Sequence, residues 1–170
     1  IVAKHAVLCT GYEFPPYARP KGLTIISTWA IATKPQARSL WPGRELIWEA
    51  ADPYLYMRTT TGGRVVAGGG DEEFSDEKKR DRLIAAKTEK IARLAAKLFP
   101  AIDFTPEFGW TGSFGASDTG MPAIGRVPRR KRTYAVLGFG GNGFTFSMLA
   151  AEIVSRTISG IEDPDLGLFR

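Results

Sequence analysis

Four glycines set between an apolar run and an amphipathic one are the residues of this chain best suited to chemistry. Gly138, Gly140, Gly141 and Gly143 lie in TYAVLGFGGNGFTFSMLAAEIVSRTISG, Thr133 to Gly160, which predicts a strand over Tyr134–Leu137, a turn, and a helix from about Phe144 to Gly160. Residues without side chains let another group approach the backbone. The helix behind them offers unpaired N–H groups and a positive dipole end, which together favour an anion. A glycine turn required only by tight packing has the same spelling. Gly138–Gly143 also matches Gly-x-Gly-x-x-Gly, the phosphate-binding string of dinucleotide folds. Those folds need a second parallel strand ending in an acidic residue, and this helix is followed by Ile161-Glu162-Asp163-Pro164 instead.

Other chemistries are narrowed by composition. With one cysteine and one histidine a Cys/His zinc site is excluded, and no metal site is expected. A cysteine nucleophile would need His5 beside Cys9, but residues four apart on one strand lie two pleats apart, beyond hydrogen-bond reach. No residue is singled out as catalytic. In Tyr54-Leu55-Tyr56-Met57-Arg58 the alternation of a strand puts Tyr54, Tyr56 and Arg58 on one face and Leu55 and Met57 on the other. The polar set would line a pocket or simply form the wet side of a hairpin.

The elements that position these residues follow from pattern. Ala6–Gly11 reads as a buried strand running into a turn, and three prolines and a glycine in the next dozen residues leave it without a local partner. Its sheet is therefore expected upstream, in a longer protein. Leu23–Thr33 is β-branched and aromatic and stops at Pro35. Glu45–Ala51 and Tyr54–Thr60 flank Asp52-Pro53, and Thr61-Gly62-Gly63 turns the second into Arg64–Ala67 as a hairpin. Gly68–Glu73 reads as a loop. From Asp76 to Phe99 the period becomes helical, with Leu83, Ile84, Lys87, Ile91, Leu94, Ala95 and Leu98 recurring at helical spacing. The charges of that segment, Lys87 among them, are assigned to its solvated side. Glu107–Gly115 is a further strand, followed by Ser117–Gly125 as a turn and an extended piece.

The chain has 170 residues, 44% of them hydrophobic, enough for one solid core with an appended lobe. No apolar run approaches the length of a membrane span, and no membrane partner is expected. A single cysteine excludes an internal disulfide framework and fits a reducing, cytoplasmic compartment. Net charge is +5, but Arg129, Arg130, Lys131 and Arg132 carry four of those charges, and without them it falls to +1. Lacking interleaved aromatics, that run reads as a solvated turn, with nucleic acid not expected as a partner.

Four stretches, spread along nearly the whole chain and in order, resemble the C-terminal half of flavin-dependent amine and amino-acid oxidases of the D-amino-acid-oxidase superfamily. AVLCTGYE resembles the last strand of the FAD domain, and IWEAADPYLYMRTTTGGRVVAGGGDEEFSD resembles the substrate-domain hairpins. WTGSFGASDTGMPAIG and GFGGNGFTFSMLAAEIVSRTISG resemble the segments that return to the cofactor. Within the superfamily the chain is most similar to the bacterial branch that resembles gamma-glutamylputrescine oxidoreductase.

The resemblance implies an α+β fold: a mixed, largely antiparallel sheet with one covering helix, and a C-terminal helix packing toward an FAD domain. It divides the chain into residues 1–22, the end of the FAD domain; 23–128, the substrate domain; and 129–170, the basic loop, return strand and last helix. It implies FAD as cofactor, contacted by Thr10, Gly11, Gly141, Asn142, Gly143, Phe144 and Thr145. Tyr54, Tyr56 and Arg58 would stand on the side of a small-molecule amine or amino-acid substrate. Amino-acid-oxidising members carry an arginine before the Asp-Thr-Gly-Met-Pro turn, but Trp110–Thr119 has none. That departure favours an amine, unless Arg58 or Arg126 substitutes. The other implied partner is an upstream FAD-binding half, without which this chain would be inactive and its uncovered interface would promote self-association. A second reading is a stand-alone binding domain that keeps the fold without the cofactor.

Overall fold

The computed structural model describes residues 2–36 and 40–169. The chain divides into two compact units: one is residues 1–26 with 113–170, the other residues 27–112.

In the unit of residues 27–112, strands β2 (Leu23–Thr33), β3 (Ile47–Trp48), β4 (Leu55–Thr59), β5 (Val65–Glu73) and β6 (Pro106–Ser117) form a sheet in the order β3-β4-β5-β2-β6. β2 and β6 also run into the other unit. β3 and β4 pair antiparallel with Trp48 opposite Tyr56, and β4 and β5 pair antiparallel with Leu55 opposite Gly69 and Tyr56 opposite Gly68. The alternation in β4 works as its sequence implies. Leu55 and Met57 are buried with Trp29, Ile31, Val65 and Ala67, and Ile91, Ala95, Ile102 and Phe104 complete that core. Burying a side chain such as Met57 contributes ~1.5–3 kcal/mol.

Three expectations change here. The segment Gly68–Glu73 is not a loop but the continuation of β5, because its glycines pair with β4 and leave room for that strand's tyrosines. The strand expected over Glu45–Ala51 shrinks to Ile47–Trp48. The helix expected over Asp76–Phe99 is divided into α1 (Glu77–Arg82) and α2 (Ile84–Leu98). Asp76 caps the first by accepting from the Lys79 N–H at 2.9 Å. At the division Leu83 has φ −84° and ψ −7°, and the carbonyl of Arg80 accepts from the Trp29 indole N–H at 3.2 Å. That carbonyl also accepts from the Leu83 N–H at 3.1 Å, so a buried tryptophan shares a carbonyl in the last turn of α1.

In the other unit, β1 (Ala6–Leu8), β7 (Ala123–Arg126) and β8 (Thr133–Leu137) form a second sheet in the order β1-β8-β7. β1 runs parallel to β8 with Ala6 opposite Thr133 and Leu8 opposite Ala135, and β7 runs antiparallel to β8. A partner for the first strand is therefore supplied from more than a hundred residues downstream. β1 is nevertheless an edge, and Ala6 and Val7 are exposed rather than buried as expected. α3 (Gly143–Ile158) packs Ala150, Ile153 and Val154 onto Ile124, Tyr134 and Val136. Ala18, Val127, Ala135 and Leu137 form a smaller cluster with Leu8 and Phe14. The architecture is mixed α+β, with largely antiparallel sheets, one parallel pair at β1 and β8, and few helices.

Candidate functional site

β8 delivers the chain into the glycine turn, and the four glycines serve different ends. Gly138 has φ +73°, and a Cβ there would lie 2.7 Å from Leu23 Cδ1, so both backbone and packing demand glycine. Gly140 has φ +56°, and its N–H donates to the Gly115 carbonyl at 2.9 Å. Gly141 and Gly143 have neither reason. A Cβ at Gly141 would meet nothing within 4 Å, and one at Gly143 would meet only Phe139 at an ordinary 3.9 Å. Nothing in the surrounding protein asks for the missing side chains at these two positions.

The helix start beside them is open in the same way. Asn142 stands at the N-cap without a side-chain hydrogen bond, and the first turn holds no acidic residue. Its N–H groups and the positive dipole end are available to a negative group. Phe144 is 99% exposed, and Gly141, Asn142 and Thr145 are exposed as well.

β1 reaches the same region. Because it is parallel to β8, both strands end on one side, and the same register carried on places Thr10 level with Leu137. Gly11 follows with φ +65° and open space where a Cβ would be. Carboxyl ends of adjacent parallel strands, next to a helix N-terminus, are where open α/β sheets bind ligands. Between this sheet and α3 lies a cavity of about 510 Å³ lined by Val7, Cys9, Val136, Phe139, Ser147 and Ala150, among others. The structure thus gathers Thr10, Gly11, Gly141, Asn142, Gly143, Phe144 and Thr145 around one end of one sheet. An uncapped helix start and two glycines with no internal reason fit the edge of a flat ring system that gains negative charge on reduction, such as flavin.

Tyr54, Tyr56 and Arg58 belong to the other unit. The Tyr54 hydroxyl donates to Asp71 Oδ2 at 2.8 Å. Burial, followed by that hydrogen bond and the aspartate's charge, pushes its pKa well above the usual phenol range. Tyr56 is shifted upward by burial and then by Asp71, with a hydrogen bond to Thr28 opposing. Both rings are neutral donors at any physiological pH. The ring of Tyr56 lies over Gly68, where a Cβ would come within 2.3 Å of its hydroxyl. Arg58 is exposed at the far end of the strand.

Two neighbours escaped sequence reasoning. Trp48, 62% exposed, stands with its ring 5.8 Å from that of Tyr54 in an edge-on arrangement, and Tyr54 is 6.4 Å from Tyr56. The signal was the pairing across Asp52-Pro53, which sets Trp48 opposite Tyr56. Asp71 was hidden in what read as a loop; its second oxygen, Oδ1, is buried without a hydrogen-bond partner among the described residues.

Lys87 is the clearest reversal. It is 8% exposed rather than solvated, its Nζ lies 2.8 Å from Glu72 Oε1, and it donates to the Gly70 carbonyl. The ammonium also sits 4.2 Å above the Trp29 ring. Glu72 is held below the usual carboxylate range chiefly by this hydrogen bond. Among the described residues no group of three or more His, Cys, Asp or Glu side chains is placed to hold a metal, and no helix is long and apolar enough to cross a membrane.

The fold has solved counterparts. Glycine oxidase from Bacillus cereus superposes with a TM-score of 0.70 at 21% identity, over 86% of this chain and 39% of that one. L-proline dehydrogenase from P. horikoshii gives 0.67 at 20% identity, over 86% and 39%. Fructosamine oxidase from Aspergillus fumigatus gives 0.71 at 15% identity, over 98% and 42%. The chain therefore spans about two fifths of the length of these structures. No curated protein matches it. The model of the FAD-dependent oxidoreductase family DAO matches residues 1–157, and the chain belongs to that family.

Proposed function

We propose that the intact protein oxidises a C–N bond of an amine, or of an amino acid, with FAD as the hydride acceptor, and that this chain supplies one edge of the flavin site and a face of the substrate site. Bound flavin would supply the redox chemistry, taking a hydride from the carbon next to nitrogen and leaving an imine that hydrolyses. The observation that carries the reading is the exposed start of α3, without a side-chain cap, beside the ends of β1 and β8. There the N–H groups of Gly143, Phe144 and Thr145 would face the flavin ring and stabilise the negative charge that reduction brings. Thr10, Gly11, Gly141 and Asn142 would help to hold it.

On the substrate side Tyr54 and Tyr56 would present neutral rings and hydroxyls, with Arg58 the one cation on their strand face. The absence of an arginine from Trp110–Thr119 favours an amine without an α-carboxylate, in line with the proposed closeness to gamma-glutamylputrescine-oxidising enzymes. An upstream FAD-binding half would cover the exposed side of α3, where Phe144 and Met148 stand one turn apart. The chain alone would be inactive and prone to self-association through that side, and a reducing, cytoplasmic setting suits its lone exposed Cys9.

Replacing Gly143 by leucine in the intact protein tests the reading. Flavin content or the rate of flavin reduction by substrate should fall at least about tenfold, because the leucine side chain would hold the ring away from a backbone whose N–H groups remain. Wild-type flavin affinity together with an unchanged reduction rate would remove the assignment.

A further inference from the structure

The turn that enters β8 carries a second site, at the opposite end of the strand from the glycine turn. Arg126, Arg129, Arg130 and Lys131 line a cavity of about 570 Å³ with Thr157 and Leu166 as neighbouring wall, and no carboxylate is among its lining residues. None of the four cations forms an ion pair among the described residues. The nearby acid Asp163 pairs with Arg156 at 3.4 Å instead.

The cations are presented by a tied turn. Val127 N–H donates to the Thr133 carbonyl at 2.8 Å, Arg130 N–H to the Val127 carbonyl at 3.1 Å, and the buried Val127 anchors the turn in the core. Arg129 is held at φ +62°, a left-handed conformation that residues with side chains adopt rarely. Aromatic rings support two of the guanidinium groups: Arg130 lies 3.9 Å over Tyr17, and Arg126 lies 5.9 Å over Tyr134. The close contact at Arg130 supports the guanidinium from one side without using its N–H groups, and an unpaired N–H fork suits phosphate. The sequence shows no aromatic within the basic run; the fold brings Tyr17 to it from more than a hundred residues away.

We infer that this cleft binds a multiply charged phosphate group, that of a phosphorylated or diphosphate-bearing small molecule, at a site separate from the proposed flavin edge. The five residues of β8, roughly 15 Å of strand, separate the two. Four unneutralised cations around one cavity repel one another, and a phosphate with two or more charges relieves that repulsion where chloride does so weakly. A small ligand fits better than a nucleic acid, since the charge is gathered around one cavity rather than laid along a stripe.

The test uses the full-length protein with inorganic pyrophosphate as probe, by isothermal calorimetry at low and at physiological salt. Saturable binding is expected, weakening at least threefold with added salt, and at least tenfold in Arg129→Ala/Arg130→Ala. Arg130→Lys keeps the charge but loses the fork, and should fall between the two. Matching circular dichroism and melting curves establish that the variants are folded. If the double variant does not fold, Arg130→Lys and Lys131→Ala decide, each by a loss of at least about threefold. Absence of pyrophosphate binding overturns the inference, as does binding that all variants retain. Tight binding of a single-stranded oligonucleotide, or of anionic vesicles, without pyrophosphate binding also overturns it in favour of a polyanionic surface.

Discussion

Two glycine-rich stretches of this chain look alike on paper and do opposite things. Gly68-Gly69-Gly70 is filled by the protein itself. The Tyr56 hydroxyl occupies the place of a Cβ at the first, the Tyr54 carbonyl lies 2.3 Å from that place at the second, and Lys87 Nζ lies 3.7 Å away at the third. Gly138–Gly143 begins in the same way, with Leu23 against Gly138, and then becomes vacant at Gly140 and Gly141. A glycine string thus acquires its meaning from what stands where the side chains would be. When the protein's own rings stand there, the glycines are part of the packing. When nothing does and the first turn of a helix follows uncapped, the space is left for something else.

The sharpest way to break the comparison is Gly69→Ala. A Cβ would press on a backbone carbonyl of the paired strand and sit at φ +143°, so neither atom can step aside. A loss of about 3 kcal/mol or more in urea unfolding is expected, on the scale of overpacking combined with backbone strain. A loss below about 1 kcal/mol would show that β4 and β5 do not meet as described. Gly138→Ala should cost less, about 1–3 kcal/mol, because the end of Leu23 can yield although the φ of +73° cannot. The shorter side chain of Leu23→Ala, combined with it, should recover part of that cost in a double-mutant cycle.

The charged pair at the end of the filled stretch gives a smaller effect with a defined sign. Glu72 has a folded-state pKa below its ordinary value, owing mainly to Lys87. Its contribution is therefore fully present above the ordinary glutamate range and is lost as pH falls through the depressed value. Since the Glu72 side chain is 44% exposed, solvent screening limits this contribution to under ~1 kcal/mol. Glu72→Gln should lower stability above pH 6 by that amount and leave it unchanged at acid pH, where Glu72 is already protonated, so that the acid limb of stability against pH flattens. The smallest effect on folding belongs to the vacant stretch. Gly141→Val should change the urea midpoint by an amount equivalent to less than ~0.5 kcal/mol, as at unconstrained surface positions, while lowering flavin affinity of the intact protein at least about tenfold. Equal and large losses of both would make Gly141 a packing residue like Gly69.

Much of the fold was legible because it rests on period. Alternation put Leu55 and Met57 in the core and Tyr54 and Tyr56 on the other face, and the amphipathic pattern announced both long helices. The misreadings arose where a local rule met a distant partner. Gly68–Glu73 carried the spelling of a loop and became a strand because β4 lay alongside it. Lys87 carried the spelling of a solvated charge, and only the placement of Glu72, Gly70 and the Trp29 ring could turn it inward.

By itself the sequence determined the main helical and extended segments, the faces of β4, the sharp glycine turn before the last helix and the family to which the chain belongs. These are properties of neighbouring residues and of their order, set by backbone sterics and by the spacing of apolar side chains. Tertiary structure alone decided that Ala6–Leu8 finds its partner in Thr133–Ala135, so that Thr10 and Gly11 reach the end of β8. It alone showed which glycines are filled and which are vacant, and it brought Tyr17 beneath Arg130. The physical reason is the same in each case: a residue's neighbours in space are chosen by burial and strand pairing across the whole chain, and no local pattern encodes them.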